Sequence, residues 1–427
     1  MRVLGLNTKG AEISTEFNAG LSTFLAMMYI VPVNAAILSQ SGMPFDALVT
    51  ATAVMTIIST VLNGLWSNTP VAMSVGMGLN AYFSFGMVKG MGIPWQTGLG
   101  IIFVSGILYV IISVTPLRRW MIETIPMNLK RAVSAGIGAF IAFIGMKQMG
   151  LVVHSDATLV SLGDLHDPRL QLGLFSLVLT TILVLRGVKG AFVISIAIVT
   201  LFAWLVGISP VPDRIFSMPA SMAPIAFKVD LVHALSLSFV PVILTFLLTD
   251  IFDTMGTLAG IGTRAGLFGK EHSVSLQRTI EADAAATVMS GLAGVSSTTA
   301  FIESAAGVEA GGRTGLTAVF TGLLFVSTLF MLPFFKAIPD SAIYPVLVIV
   351  GMLMFSELGQ IDLSDKAAMV GSFFIVLMMP LTYSITDGLM FGSIMYALAK
   401  IFLGKVAEIE KAVWIFAISG IFLFFVL

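Results

Sequence analysis

Three carboxylates stand in stretches of sequence that are otherwise apolar. Glu303 lies in Ala300-Phe301-Ile302-Glu303-Ser304-Ala305, and Asp250 and Asp253 lie in Thr245-Phe246-Leu247-Leu248-Thr249-Asp250-Ile251-Phe252-Asp253-Thr254. A charge at membrane depth costs about 3 kcal/mol or more unless it faces a cavity, a partner or a proton, so each is a functional candidate first. The i, i+3 spacing of the aspartates places both on one helix face, with Thr249 and Thr254 nearby. One acid of such a set can hold a substrate by accepting its N–H donors while another carries a coupling proton. For Asp253 a purely structural reading has equal weight: a cap on a neighbouring segment or a pair with a lysine. Other charges read more simply. Glu281 and Asp283 follow Arg278 closely and are expected to form an ion pair at the end of their span. Lys147 can snorkel to the interface, Glu309 can pair with Arg313, and Asp387 is expected to cap the segment after it.

The elements that must carry these acids follow from composition. Of 427 residues, 57% are apolar and only 11% charged, against about 25% charged in a soluble domain. At ~20 residues per membrane helix the chain can supply roughly fourteen spans. The class is therefore an all-α polytopic membrane protein. The net charge of -1 offers nucleic acid no basic surface. His154, His166, His233 and His272 sit in or beside loops and there are no cysteines, which argues against zinc, iron-sulfur or thiol chemistry. No cofactor is expected. The absence of a GxxxxGK[ST] loop argues against ATP-driven pumping. The stretch from Met1 to Glu16 reads as a soluble leader, with Arg2, Lys9, Glu12 and Glu16 ahead of the first apolar run.

Seven apolar windows precede Gly207 and seven or eight follow Val232. The expected organisation is a first repeat over 1–207, a connector over 208–233 and a second repeat over 234–427. With the N-terminus cytoplasmic, inside connections carry Arg2, Lys9, Arg118, Arg119, Lys130, Arg131, Arg186, Lys189, Arg264, Lys270, Arg278, Arg313 and Lys366. Outside connections carry only Lys89, Arg169, Arg214, Lys228 and Lys336. That bias is the positive-inside pattern. The halves also resemble each other. Thr97-Gly98-Leu99 and Thr314-Gly315-Leu316 each open a span that ends in Ile-Pro (Ile125-Pro126, Ile338-Pro339), and Gly138 in the following helix corresponds to Gly351. Thr23-Phe24-Leu25 corresponds to Thr245-Phe246-Leu247. An odd number of crossings between equivalents makes the second copy an inverted repeat, the usual build of secondary transporters.

One span in each half is abnormal, and the two correspond. Pro70 to Gly92 is punctuated by glycine, and Ser290 to Gly312 by glycine, serine and threonine. Small polar residues leave backbone groups free, which a membrane tolerates only around a protein-enclosed cavity. Two broken half-spans are therefore expected to meet head to head at a midplane site, offering helix N-termini and extended backbone to a planar polar substrate. Close helix packing through small residues is the alternative.

At these segments the chain resembles a known family. Gly76-Met77-Gly78-Leu79-Asn80-Ala81-Tyr82-Phe83, Asp250-Ile251-Phe252-Asp253-Thr254-Met255-Gly256-Thr257-Leu258 and Ser297-Thr298-Thr299-Ala300-Phe301-Ile302-Glu303-Ser304-Ala305-Ala306-Gly307 are similar to the signatures of the adenine/guanine/hypoxanthine permeases. These are the azaguanine-resistance subgroup of the nucleobase-cation symporter 2 (nucleobase-ascorbate) family. Gly311-Gly312-Arg313-Thr314-Gly315-Leu316 and Met379-Pro380-Leu381-Thr382-Tyr383-Ser384-Ile385 also fit. The resemblance implies fourteen spans as a seven-plus-seven inverted repeat, with a core domain from spans 1–4 and 8–11 and a gate domain from spans 5–7 and 12–14. It further implies a homodimer in the plasma membrane and proton-coupled uptake of purine bases. Carried over, Asp250, Glu303 and Asn80 contact substrate, with Gly78, Ala81, Thr299, Phe301 and Ser304 beside them in the same motifs. Asp253, Glu303 or Asp250 carries the proton, with Asp250 the expected substrate-facing member of its pair. Uracil-type relatives place a histidine where this chain has Thr254, which is a departure in the proton route.

Two other readings compete. A carrier of the same fold for another substrate, such as uracil, xanthine or an anion, is one; Glu303 repels an anion. An intramembrane hydrolase using paired carboxylates is the other, but an inverted repeat serves no purpose there.

Overall fold

The computed structural model describes residues 2–3, 6–7, 12–115, 125–265 and 273–425. Of the basic residues used for orientation, Lys9, Arg118, Arg119 and Lys270 lie outside this set. Short strands β1 (Arg2–Val3) and β2 (Leu6–Asn7) pair near the N-terminus. Helices α1 (Ile13–Met27) and α2 (Ile30–Ser39) form one bent crossing, followed by α3 (Phe45–Ser67). The bend at Met28-Tyr29 has an identifiable cause, because Pro32 has no N–H to return to the Met28 carbonyl. The third crossing is broken. Strand β3 (Met73–Val75) leads into the short helix α4 (Met77–Ala81), which widens into π-helical turns over Tyr82–Gly90. Helices α5 (Trp95–Val114), α6 (Met127–Gln148), α7 (Pro168–Leu185) and α8 (Ala191–Leu205) complete the first half, with the hairpin β4 (Val152–Ser155) and β5 (Leu159–Leu162) between α6 and α7.

The second half runs through α9 (Val240–Ala265) and α10 (Ser273–Ala293) to strand β6 (Thr298–Ala300) and the one-and-a-half-turn helix α11 (Ser304–Glu309). Helices α12 (Gly315–Phe325), α13 (Asp340–Phe355), α14 (Lys366–Thr382), α15 (Ile385–Phe402) and α16 (Lys411–Phe425) follow. The last three, indistinct as apolar stretches, are separate helices. Among the described residues, eight helical stretches are long and apolar enough to cross a bilayer, and four shorter apolar helices accompany them. Exposed apolar stripes, such as Val178, Ile182 and Leu185 on α7 and Ile194, Ile198, Leu201 and Leu205 on α8, give the bundle an outward face suited to lipid.

The helices pack in two groups. In one, α10 lies against α5 and α3, α12 against α3 and α1, and α9 against α5. In the other, α6 lies against α13 and α14, α13 against α7, and α14 against α15. Corresponding glycines bring the helices close. A Cβ on Gly138 would stand 2.5 Å from the Gly351 carbonyl oxygen, and one on Gly351 would meet that of Gly138 as closely. Gly64 and Gly315 make the same reciprocal approach between α3 and α12.

Three expectations are corrected here. Glu16 does not belong to a soluble leader: it is 1% exposed, and its carboxylate accepts from the backbone N–H groups of Arg313, Thr314 and Thr317 and from the Thr317 hydroxyl. A carboxylate at the positive end of α12 compensates for its burial. In the other half Asp230 has a similar place, accepting from Thr97 Oγ1 at 3.1 Å at the start of α5. The cap of α15 is Ser384, whose Oγ accepts from Asp387 N at 3.0 Å, so Asp387 is not the capping residue. Arg278 does not hold Asp283, which lies deep in the bundle and is described below.

Because the Gly138–Gly351 contact is backbone on backbone, Gly351→Ala and Gly138→Ala should each lower stability by about 1–3 kcal/mol. Gly256→Ala, with open space around its Cβ position, should not. Thermal unfolding of the three variants in detergent checks this.

Candidate functional site

The two broken crossings meet through their extended segments. β3 and β6 pair antiparallel, with Met73 opposite Ala300, Ser74 opposite Thr299 and Val75 opposite Thr298. The pairing continues as Gly76 N donates to Ser297 O at 2.9 Å and Phe301 N to Ala72 O at 3.0 Å. Backbone groups the ladder leaves over are taken by side chains. Thr60 Oγ1 donates to Met73 O (2.8 Å), Asn63 Nδ2 to Val71 O (2.7 Å) and Asn34 Nδ2 to Val75 O (2.9 Å), while Ser304 Oγ accepts from Ala72 N (2.9 Å). Each strand runs into a short helix, so the N-termini of α4 and α11 lie at opposite ends of the ladder. The first N–H groups of α4, from Met77 to Leu79, have no partner within their own helix.

Around this ladder the acids separate into two environments. Glu303 and Asp253 are half-buried and close enough to feel one another's charge. Asp253 Oδ2 lies 3.9 Å from where a Cβ on Gly76 would stand, so it flanks the start of α4. Glu303 sits between β6 and α11, and its Oε1 accepts the Tyr29 hydroxyl at 2.5 Å. Asp250 turns the other way. It is 1% exposed, and its Oδ2 accepts from Thr287 Oγ1 of α10 at 2.8 Å. One helix face, inferred from the i, i+3 spacing, is thus shared between two surroundings, and Asp253 is the member of the pair turned toward Gly76 and Glu303.

The remaining expected residues divide likewise. Gly78 is half-buried beneath α6, with Ile137 Cγ2 3.0 Å from its Cβ position. Thr299 packs its methyl 3.0 Å from the Cβ position of Gly76. Phe301 and Ala81 are buried next to these segments, and the Ser304 hydroxyl is occupied by Ala72 N. Asn80 is fully buried; its Nδ2 donates to Asn34 Oδ1, and its own Oδ1 has no partner. Asn80 therefore bears on Asn34, which holds the end of β3.

Sequence reasoning missed Tyr29 and Asn34. The signals were Tyr29 three residues ahead of Pro32, and a lone amide in the run Val31 to Leu38. It also misread Asp283, which is fully buried and accepts from Thr254 Oγ1 at 2.5 Å and Tyr109 Oη at 3.1 Å. Glu281 is the member turned outward, half-buried and accepting from Trp66 Nε1 at 3.1 Å. Away from the acids, a cavity of about 270 Å³ opens between α2, α3 and α13, lined by Gln40, Lys336, Asp340 and Tyr344 among others. Lys336 Nζ bridges it to Asp46 at 2.8 Å.

Apolar helices packed around two interrupted crossings, with acids beside the interruptions, are the build of a membrane transporter, and the family and relatives that follow make the protein one and not an enzyme. Residues 14–391 match the permease family (Xan_ur_permease), and the chain belongs to it. It is 39% identical to the guanine/hypoxanthine permease PbuO of Bacillus subtilis over 99% of both chains. It is 38% identical to the adenine permease AdeP of Escherichia coli over 98% of this chain and 94% of that one. In fold it is similar to the transmembrane domain of the cyanobacterial bicarbonate transporter BicA, with a TM-score of 0.61 at 13% identity over 90% of this chain and 97% of that one.

If Asn80 acts through Asn34 on β3, then Asn80→Ala should weaken apparent substrate affinity by about 1–3 kcal/mol. Asn34→Ala should cost a similar amount, and the double variant little more, since coupled residues are not additive. Uptake kinetics of the three variants test the linkage.

Proposed function

We propose that the protein is a proton-coupled symporter that brings purine bases, among adenine, guanine and hypoxanthine, across the plasma membrane with its N-terminus in the cytoplasm. The observation that carries the reading is that two half-buried acids flank the ladder, Asp253 beside Gly76 where α4 starts and Glu303 between β6 and α11. A purine presents N–H donors and ring or carbonyl acceptors on one planar edge; carboxylates meet the former and backbone N–H groups the latter. The names of the relatives, adenine permease and guanine/hypoxanthine permease, agree with that chemistry. Asp253 and Glu303 face substrate. Asn80, Gly78, Ala81, Thr299, Phe301 and Ser304 build and hold the walls, and Asp250 serves from behind.

The architecture we propose is fourteen crossings as two inverted sets of seven. The reciprocal glycine contact between α6 and α13, the β3–β6 ladder, and the matched contacts of α12 on α3 and α5 on α10 support it. The packing group of α1–α5 with α9–α12 is then the core, and the group of α6–α8 with α13–α15 is the gate, with α16 packed on α15 outside the two sets of seven, in a chain that works as a homodimer. Movement of α6 over Gly78 would open and close access to the site.

Uptake of labelled adenine, guanine, hypoxanthine, xanthine and uracil by expressing cells tests substrate and driving force together. Purine uptake should collapse with a proton uncoupler and be indifferent to replacing sodium with choline; sodium dependence with uncoupler resistance sinks the proton reading. Tyr29 fixes one oxygen of Glu303 as an acceptor, so Glu303→Gln would turn an amide N–H₂ toward the purine's own N–H. Purine affinity should then fall by about 1.5–3 kcal/mol, roughly 10- to 150-fold. Native affinity of this variant in equilibrium binding would remove Glu303 from the substrate contacts.

A further inference from the structure

Asp283 is an acid that neither substrate binding nor helix capping uses. It lies midway along α10, is fully buried, and has no cation partner among the described residues. Its Oδ2 accepts from Tyr109 Oη and Thr254 Oγ1, while its Oδ1 is buried without a partner. The Oδ1 of Asp250 is unpartnered as well. The groups that face Asp283 come from every element packed on α10. From α9 come Asp250 and Asp253, near enough to act on its charge, and from α5 comes Tyr109. From α3 the only acid is Asp46 at its first turn, engaged by Lys336, and β6 brings hydroxyls alone. Asp283 thus lies near two other acids and among the hydroxyls of Thr254, Thr299 and Tyr109, and its buried Oδ1 has no hydrogen to accept. That is the arrangement in which carboxyl groups share a proton.

Asp283 also has a line to the binding site. Thr254 spends its one hydroxyl proton on Asp283, so at the 2.7 Å contact between Thr254 Oγ1 and Thr299 Oγ1 it is Thr299 that donates. The relay runs Thr299 to Thr254 to Asp283 and ends in β6, directly behind Gly76. Hydrogen bonds to an ionised acceptor are roughly twice as strong as neutral ones. The charge on Asp283 therefore sets how firmly Thr254, and through it Thr299 and the ladder, are held.

We propose that Asp283 holds the coupling proton on Oδ1 and reports it to the substrate site through Thr254 and Thr299. The step takes a proton from hydronium on one side, whose O–H bond breaks to leave water as the Oδ1–H bond forms, and returns it to water on the other side, forming hydronium as the Oδ1–H bond breaks. The inference rests on the proton-coupled reading above and adds the residue that carries it out.

The test uses the purified full chain in proteoliposomes. Labelled hypoxanthine is followed in counterflow and in accumulation driven by a pH gradient, and proton uptake is read with a trapped dye. The wild type should accumulate base and take up protons with it; if it accumulates without proton uptake, the coupling reading and this inference both fall. Asp283→Asn should keep counterflow while losing uphill accumulation, proton uptake and the pH dependence of affinity, because an amide imitates the protonated acid. Retained proton-driven accumulation in that variant, or loss of counterflow and accumulation together, overturns the proposal. Tyr109→Phe guards against misfolding of the first variant. It removes one donor to the carboxylate without changing charge, so the midpoint of the pH profile for accumulation should move to higher pH. An unmoved midpoint overturns the proposal equally.

Discussion

Everything in this molecule depends on the obligation of buried backbone to find hydrogen-bond partners where no water is at hand. Two crossings abandon the helix partway along, and in a membrane each would be prohibitively costly alone. Together they are tolerated because β3 and β6 satisfy one another in a three-pair antiparallel ladder. The surplus groups explain why α3, whose neighbours are mostly apolar, carries Thr60 and Asn63, and why Ser304 and Asn34 occur where they do. The candidate site is the by-product of that arrangement: a ladder of two strand ends with a helix N-terminus at either end, and small residues beside it.

Charge is distributed around the ladder by exposure. Asp253 and Glu303 keep an open side, whereas Asp250 and Asp283 are sealed against α10 and α5. Two residues on the same helix, three apart, differ by about 60° in direction around its axis, and that difference decides whether a carboxylate looks into the site or behind it. The hydroxyls of Thr254, Thr287 and Thr299 lie between the two sets. They tie the sealed acids to the broken crossings without adding charge of their own.

Much of this was legible in the sequence. Glycine- and serine-rich interruptions in matching positions located the ladder, because a lipid-facing helix has no reason to be built that way. The acids were legible because carboxylates are rare in apolar runs. What sequence could not supply was direction. Glu16 looked like part of a leader because its partners, the first N–H groups of α12, are 297 to 301 residues away. Asp283 looked like a terminal ion pair because Arg278 is near in sequence, although α10 begins at Ser273 and carries Asp283 into the bundle. Tyr29 was unremarked because an aromatic residue in a hydrophobic run is ordinary until its hydroxyl is seen on Glu303.

The separation of partners along the chain has a consequence for biosynthesis. Ala72 N waits for the hydroxyl of a residue 232 positions later, and Glu16 for amides that emerge later still. During translation, the third crossing cannot settle in lipid with its ladder groups bare, nor can the first bury its carboxylate. Insertion of the N-terminal half must therefore stay provisional, held at the translocon or lodged near the interface, until β6, α11 and α12 have been made. A ribosome halted between the two halves would leave a nascent segment fit for quality-control proteolysis rather than half a transporter.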